Sequence, residues 1–372
     1  MTATITPFKI NVSDAQLADL KARLKATIMP SEVESDSWSY GPTNAFVKTA
    51  IDRLLNGYDW RAREAQMNRF PQFTTEIDGQ TIHFIHVKSK KANATPLLLI
   101  HGWPGSIVEF VGVIDKLTDQ YDVVVPSVPG FGFSGPTSEK GWNYGRVANA
   151  LIELMGRLGY QKFGLQGGDA GAIVGPEIGR LAPEKVLGIH INAATMGFIP
   201  FGPIPDEEIA TFNERELVRV QRLQRFMSEH FSFNAVHSMR PQALAYGISD
   251  SPAGLLAWTS ELFTSFGDRV DAVPLDDFLT NFMVYWVTGT AASSVRVYYE
   301  AAHDHAAWAP KANSGVPTAV AVFGYDEVPI RRYGEASNTI VSWTEFDVGG
   351  HYAVLEVPDV WVKSVRDFFG SL

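Results

Sequence analysis

One short stretch limits the fold more than any other. Phe163 to Gln166 is an apolar run, Gly167-Gly168-Asp169-Ala170-Gly171 follows it, and a helical pattern comes next. Two glycines around a central acidic side chain suit a sharp, crowded turn from a strand into a helix. Such a turn lifts its central side chain above the C-terminal end of a sheet. It also sets that side chain at a helix N-terminus, where an anion is favoured. A strand-to-helix turn merely capped by aspartate has the same local pattern, so the rest of the chain must decide between the two.

Around this turn the strand signals recur. Pro96 to Ile100, Tyr121 to Val125, Gly188 to Asn192, Thr318 to Phe323 and Ser342 to Phe346 read as strands, and residues 143–158 as a helix. Apolar strands alternating with helices predict a mostly parallel sheet covered on both faces. Upstream, Ser13-Asp14-Ala15-Gln16 has the form of a capping box, with Leu17, Leu20 and Leu24 at helical spacing behind it. Helices are expected over 14–25, 43–56 and 60–69. Thr74 to Ile77 and Thr81 to Ile85 flank Asp78-Gly79-Gln80, a hairpin signal. Residues 197–290 are helical with no confident strand, as an insert between two parts of the sheet would be. The expected division is an N-terminal extension over 1–90, a core over 91–196, a helical cap over 197–290 and the rest of the core over 291–372. The chain has 372 residues, enough for roughly two domains or one large α/β domain with an insert.

Three features converge on the turn at Asp169. His101-Gly102-Trp103-Pro104-Gly105 follows one strand, Asp326 and Glu327 follow another, and Gly349-Gly350-His351 follows the last. Nucleophile, acid and histidine in that chain order is the arrangement of the α/β-hydrolase fold. Taken separately, each has a plain reading as an ordinary loop residue. There the backbone N–H groups of Trp103 and Ala170 would form the oxyanion hole. A carboxylate nucleophile attacks an sp³ carbon and becomes an ester of the enzyme. Water deprotonated by His351 would then attack the ester carbonyl, while Asp326, with Glu327 as the alternative, orients the imidazole. Such a chain can open epoxides or displace halide; an ordinary esterase would want Ser or Cys at position 169.

With these residues in view, the chain resembles the microsomal-type epoxide hydrolases, the family that includes juvenile hormone epoxide hydrolases. The N-terminal part carries Gly57-Tyr58-Asp59-Trp60-Arg61 and Asn68-Arg69-Phe70-Pro71-Gln72-Phe73. The core carries His101 to Ser106 and Pro129-Gly130-Phe131-Gly132-Phe133-Ser134. The insert carries Asp250-Ser251-Pro252-Ala253-Gly254-Leu255 and Tyr285-Trp286-Val287-Thr288-Gly289-Thr290. The resemblance implies an α/β-hydrolase fold with a helical cap insert and an N-terminal helical and hairpin extension. It also implies cap tyrosines that donate to the epoxide oxygen, and it carries that role to Tyr298 in Arg296-Val297-Tyr298-Tyr299-Glu300. A phenol suits a leaving alkoxide that stays tethered to the substrate, although core packing would also place a tyrosine there. The family's other cap tyrosine falls at Phe233, with Tyr246 nearby in sequence; its usual Trp after the nucleophile is Ala170, and its Phe-Pro before the acid is Phe323-Gly324. The expected pocket wall comprises Trp103, Pro104, Phe131, Phe233 and Tyr246.

Composition narrows the remaining options. There are 0 cysteines, which removes disulfides, thiolate chemistry and Cys-based metal sites. A net charge of -10 argues against a nucleic-acid partner. No apolar run suits a signal peptide or a membrane span, so the expected location is cytoplasmic. His303 and His305 lie on a polar stretch and read as solvated, not metal-binding. No glycine loop has dinucleotide spacing, so no cofactor is expected; the partners are a small apolar epoxide and water, and a homodimer would be compatible. Two other readings stand beside the epoxide hydrolase. One is a haloalkane dehalogenase, which Ala170 disfavours. The other is a catalytically silent ligand-binding homologue, kept open by Phe233.

Overall fold

A computed structural model describes residues 4–33, 37–200, 202–305, 309–326 and 328–372. A nine-stranded sheet runs through these residues. Its strands are β1 (Thr6–Phe8), β2 (Gln72–Ile77), β3 (Gln80–Val87), β4 (Thr95–Ile100), β5 (Tyr121–Pro126), β6 (Phe163–Gly168), β7 (Val186–Asn192), β8 (Pro317–Phe323) and β9 (Thr339–Phe346). They lie in the order β1-β2-β3-β5-β4-β6-β7-β8-β9. From β5 to β9 every neighbouring pair is parallel; β1, β2 and β3 add on antiparallel. Leu97 to Ile100 in β4 are wholly buried, as a central parallel strand covered on both faces must be.

The hairpin expected upstream is therefore part of the main sheet, since β3 pairs with β5. Strand β1 was not anticipated. It is three residues long at the sheet edge, and its proline is tolerated there because an edge strand leaves some N–H groups unpaired anyway. The helices of the extension are Asp14–Lys25, Asn44–Asn56 and Trp60–Asn68. The first starts with the expected capping box of Ser13 and Gln16. They pack against the cap helix Leu275–Thr288: Arg53 makes two 2.8 Å contacts with Asp276, and the Tyr58 hydroxyl donates to Thr280 Oγ1 at 2.9 Å.

Between β7 and β8 the described residues hold helices and no strand. That helical run goes past residue 290 to the helix Arg296–Ala302, which carries Tyr298. The cap thus covers the C-terminal end of the parallel strands. Ligands of open α/β sheets bind in that region, because the loops there diverge and leave a crevice.

Candidate active site

Asp169 sits at the junction of β6 and the helix Ala170–Leu181, with φ 53 and ψ −117. A non-glycine residue there is strained by roughly 1–3 kcal/mol. The glycines on either side make the strained turn sterically feasible. A Cβ on Gly167 would run into the backbone of Gly171, and one on Gly171 would run into the Ile100 carbonyl. The Asp169 carboxylate is hydrogen-bonded on one oxygen and faces an imidazole with the other. Oδ1 accepts a 2.9 Å hydrogen bond from the Trp103 amide, and Oδ2 lies 3.6 Å from His351 Nε2. The other ring nitrogen, Nδ1, lies 3.3 Å from Asp326 Oδ1. Asp326 follows β8 and His351 follows β9, so three strand ends supply the three side chains.

Electrostatics follow from this order. Burial alone would lower the His351 pKa, but the carboxylates of Asp326 and Asp169 outweigh it and hold it well above the ordinary histidine value. Across the cavity, burial followed by the Asp169 charge pushes Tyr298 well above the usual phenol value. Tyr298 is thus a neutral hydroxyl donor. His101 has a structural part. Its Nδ1 donates to the Gly102 carbonyl at 3.0 Å and its Nε2 accepts from the Val128 amide at 3.1 Å, which pins the loop that presents the Trp103 amide. Burial lowers its pKa to about 4, so it stays neutral and keeps that pairing.

A cavity of ≈ 410 Å³ opens in front of Asp169, between the sheet and the cap. Asp169, His351, Asp326, Tyr298, Phe233 and Ala170 all line it. Phe233 stacks on the Trp103 indole with ring centroids 5.5 Å apart. Trp103 contributes its amide to Asp169 and its ring to the wall behind Phe233. The Ala170 amide directly follows Asp169 at the helix start, one of the N–H groups that a helix leaves without intrahelical partners.

Of the five expected wall residues only Phe233 lines this cavity; Trp103 borders neighbouring cavities instead, and the other three lie elsewhere. Tyr246 is 73% exposed, because its helix, Pro241–Asp250, turns that face to solvent. Phe131 is buried beneath the site, against His101 and Tyr285. Pro104 belongs to the loop, and its carbonyl accepts from Asn281 Nδ2 at 2.6 Å. None of the three lines the cavity. Glu327, the alternative acid, lies outside the described residues. No group of His, Asp and Glu among the described residues is arranged to hold a metal ion, and no described helix is long and apolar enough to cross a membrane.

Sequence reasoning also missed Glu109, Gln166, Tyr352 and His237. The first three gather behind Asp169, around a cavity of ≈ 10 Å³. Glu109 had a signal: it is a lone charge within Val108-Glu109-Phe110-Val111, an otherwise apolar turn of helix. His237 packs its ring beside Trp103 and Tyr298, and its Nε2 accepts from Trp258 Nε1 at 3.0 Å. Its single signal was its place one helical turn after Phe233.

Sheet order, the meeting of Asp169, His351 and Asp326 at three strand ends and the strained turn at Asp169 are those of an α/β-hydrolase fold. Comparison with known proteins refines this. Residues 5–110 match the family model described as epoxide hydrolase N terminus, and residues 95–308 match that of the alpha/beta hydrolase fold. A protein of Stigmatella aurantiaca is 38% identical over 384 residues, covering 99% of this chain and 85% of that one. Epoxide hydrolase 1 of Sus scrofa is 32% identical, covering 99% and 89%. Among solved structures, Aspergillus niger epoxide hydrolase superposes with a TM-score of 0.87 at 30% identity, covering 99% of this chain and 96% of that one. The chain belongs to the epoxide hydrolase family of α/β hydrolases.

Proposed function

We propose that this enzyme hydrolyses an apolar epoxide to a vicinal diol through an alkyl ester on Asp169. The observation that carries the reading is the aspartate at the nucleophile position, with Oδ1 engaged by the Trp103 amide. That hydrogen bond reserves Oδ1 for the oxyanion hole and leaves Oδ2 to attack. In the first step Oδ2 forms a bond to an epoxide carbon. The C–O bond breaks, and the Tyr298 hydroxyl gives its proton to the departing oxygen. In the second step His351 Nε2 takes a proton from water, and the water oxygen bonds to Asp169 Cγ. The negative charge on Oδ1 is held by the Trp103 and Ala170 amides. Collapse breaks the Cγ–Oδ2 bond, the imidazolium gives its proton to the leaving oxygen and the diol leaves with Oδ2; the second water proton, left on the new Asp169 carboxyl, passes to His351 and restores the resting pair.

Charge logic favours this order. Asp169 and Asp326 together keep His351 inclined to hold a proton while the enzyme rests. Esterification removes the Asp169 charge; the imidazole then gives up its resting proton, which restores the Tyr298 phenol, and is the free base when water must be activated. The walls formed by Phe233, Phe226, Phe266 and Ile173 suit an apolar substrate, and the relatives named as epoxide hydrolases agree with the chemistry.

Intact-protein mass spectrometry of His351→Ala, mixed with separate pools of epoxides and haloalkanes, tests the reading. The expected result is a mass gain of one whole epoxide, mapped to Asp169. A gain equal to a haloalkane less hydrogen halide would replace the reading with a dehalogenase. No gain from a folded variant would favour a silent homologue.

A further inference from the structure

The small cavity behind Asp169 has an unusual lining. Its ≈ 10 Å³ corresponds to about one water molecule. Glu109, Gln166, His351 and Tyr352 line it together with Asp169. Each of those four contributes a buried polar atom with no hydrogen-bond partner among the described residues: Glu109 Oε1, Gln166 Oε1, His351 Nε2 and the Tyr352 hydroxyl. Buried polar atoms without partners are costly, about 1–3 kcal/mol each. Four of them converging on one water-sized space mark a site built for a water.

The surrounding bonds fix how these atoms face. Gln166 Nε2 donates to Asn192 Oδ1 at 2.9 Å, which is also bonded by Trp361 Nε1 at 3.3 Å. The amide is therefore oriented with its oxygen left over. Tyr352 is locked by its ring, stacked 4.0 Å from Phe263. Glu109 has room only because residue 105 is glycine; a Cβ there would overlap Glu109 Oε1.

We propose that Glu109 holds the water that hydrolyses the Asp169 ester, in a site separate from the substrate cavity. This rests on the ester mechanism above. The water gives one hydrogen to His351 Nε2 and shares the other between Glu109 Oε1 and Gln166 Oε1. The Tyr352 hydroxyl donates to one lone pair, and the remaining lone pair is aimed at Asp169 Cγ. Atoms balance as already described: the water oxygen enters Asp169, and His351 carries its proton to the leaving diol. Glu109 gains and loses nothing.

The choice of a carboxylic acid here has an electrostatic reason. Burial, with the Asp169 charge added and the His351 charge opposing, raises Glu109 to about 8. At neutral pH it is mostly an uncharged acid. A third carboxylate beside Asp169 and Asp326 would hold the proton on His351 and disable the base. A neutral group positions water without that penalty.

The test is rapid-quench intact mass spectrometry of the full chain with styrene oxide. It compares wild type, Glu109→Leu, Glu109→Gln and, as a reference, His351→Ala. Glu109→Leu is expected to form the adduct at the wild-type rate and to hydrolyse it about 10- to 100-fold more slowly, as a displaced reactant should. Glu109→Gln keeps an oxygen in place and is expected to hydrolyse within about threefold of wild type, since its carbonyl is as good an acceptor. If Leu does not fold, Glu109→Asp, one methylene shorter, takes its place with the same expectation. Adduct hydrolysis at the wild-type rate in the Leu or Asp variant overturns the proposal, and so does a loss in Gln as large as in Leu. Absence of adduct even in His351→Ala removes the ester reading itself, and the role of Glu109 falls with it.

Discussion

The two faces of the Asp169 carboxylate differ in kind. Towards the cap lies a cavity of ≈ 410 Å³ walled largely by aromatic and aliphatic side chains, with Tyr298 as a neutral donor. Towards the sheet lies one of ≈ 10 Å³, where an acid, an amide, an imidazole and a phenol stand among Trp103, Phe110, Val354 and Trp361. The difference matches the two halves of the reaction proposed for this site. Alkylation needs a dry surface and one proton donor; hydrolysis needs one water in one orientation. On that proposal the two steps use different sides of Asp169. It also explains why His351 stands at the boundary, lining both spaces.

The strongest way to break this division is to remove its centre. Asp169→Ala should lose diol formation by on the order of 10⁴-fold or more, and show no adduct in the mass assay. Residual turnover near the wild-type level would mean that water attacks the epoxide directly, and the two faces would have no separate duties. A qualitative companion is a single turnover in ¹⁸O-labelled water with excess enzyme. The label is expected in Asp169 and not in the diol, because the diol leaves with the original Oδ2.

Tyr298→Phe probes the cap face alone. Losing the donor should slow adduct formation by roughly 10²-fold, while adduct already formed hydrolyses at the wild-type rate. Equal slowing of both steps would show that Tyr298 also serves the water side. Phe233→Tyr adds a hydroxyl at the position where the sequence resemblance expects one, and its effect on the alkylation rate measures how far a single donor limits this enzyme.

How much of this division could be read from the sequence differs between the faces. The strand ends announced themselves, because glycine-flanked turns and apolar strands are local patterns. Asp169, Asp326, His351 and the Trp103 amide meet as expected. The cap face was legible only in part. Tyr298 and Phe233 line the cavity, yet Tyr246 does not, because which way a helix turns depends on packing from distant segments. The water side was hardly legible at all. Gln166 lies within β6, Tyr352 follows His351, and Glu109 lies in the short helix after the loop that carries Trp103; nothing in their spacing says that they meet. Strand β1 was missed for a similar reason: three residues carry too little periodicity to register.

Acid stability tests whether the buried histidines around both faces are held neutral. Burial lowers His83 to about 3, His101 to about 4, His190 to about 4 and His237 to about 3. A depressed folded-state value means the unfolded chain binds more protons below pH ~6.5, so stability is present above that pH and is lost as pH falls. Each histidine should then cost up to about 2 kcal/mol at pH 5. Urea unfolding across pH 7 to 5 should show this decline, and His83→Gln should flatten its share. His351 acts in the opposite direction. Its raised value makes its contribution complete below pH ~6.5 and lost as pH climbs through the folded-state value. A flat profile from pH 7 to 5 would show that these rings are not held neutral.

The smallest expected effect concerns where the substrate cavity ends. Tyr246 is 73% exposed, and no wall of the cavity includes it. Removing an exposed ring with no contact to the site should change kcat/KM by less than about twofold, ~0.4 kcal/mol in barrier. Steady-state kinetics of Tyr246→Ala on the same epoxide reads this directly. A tenfold drop would mean that the cap moves to bring the helix Pro241–Asp250 over the substrate. The donor missing at Phe233 would then come from a closed state, and the cap face would be less finished at rest than the water face. A change within twofold leaves Tyr298 as the donor the cap face supplies at rest, with Phe233 as the wall opposite it.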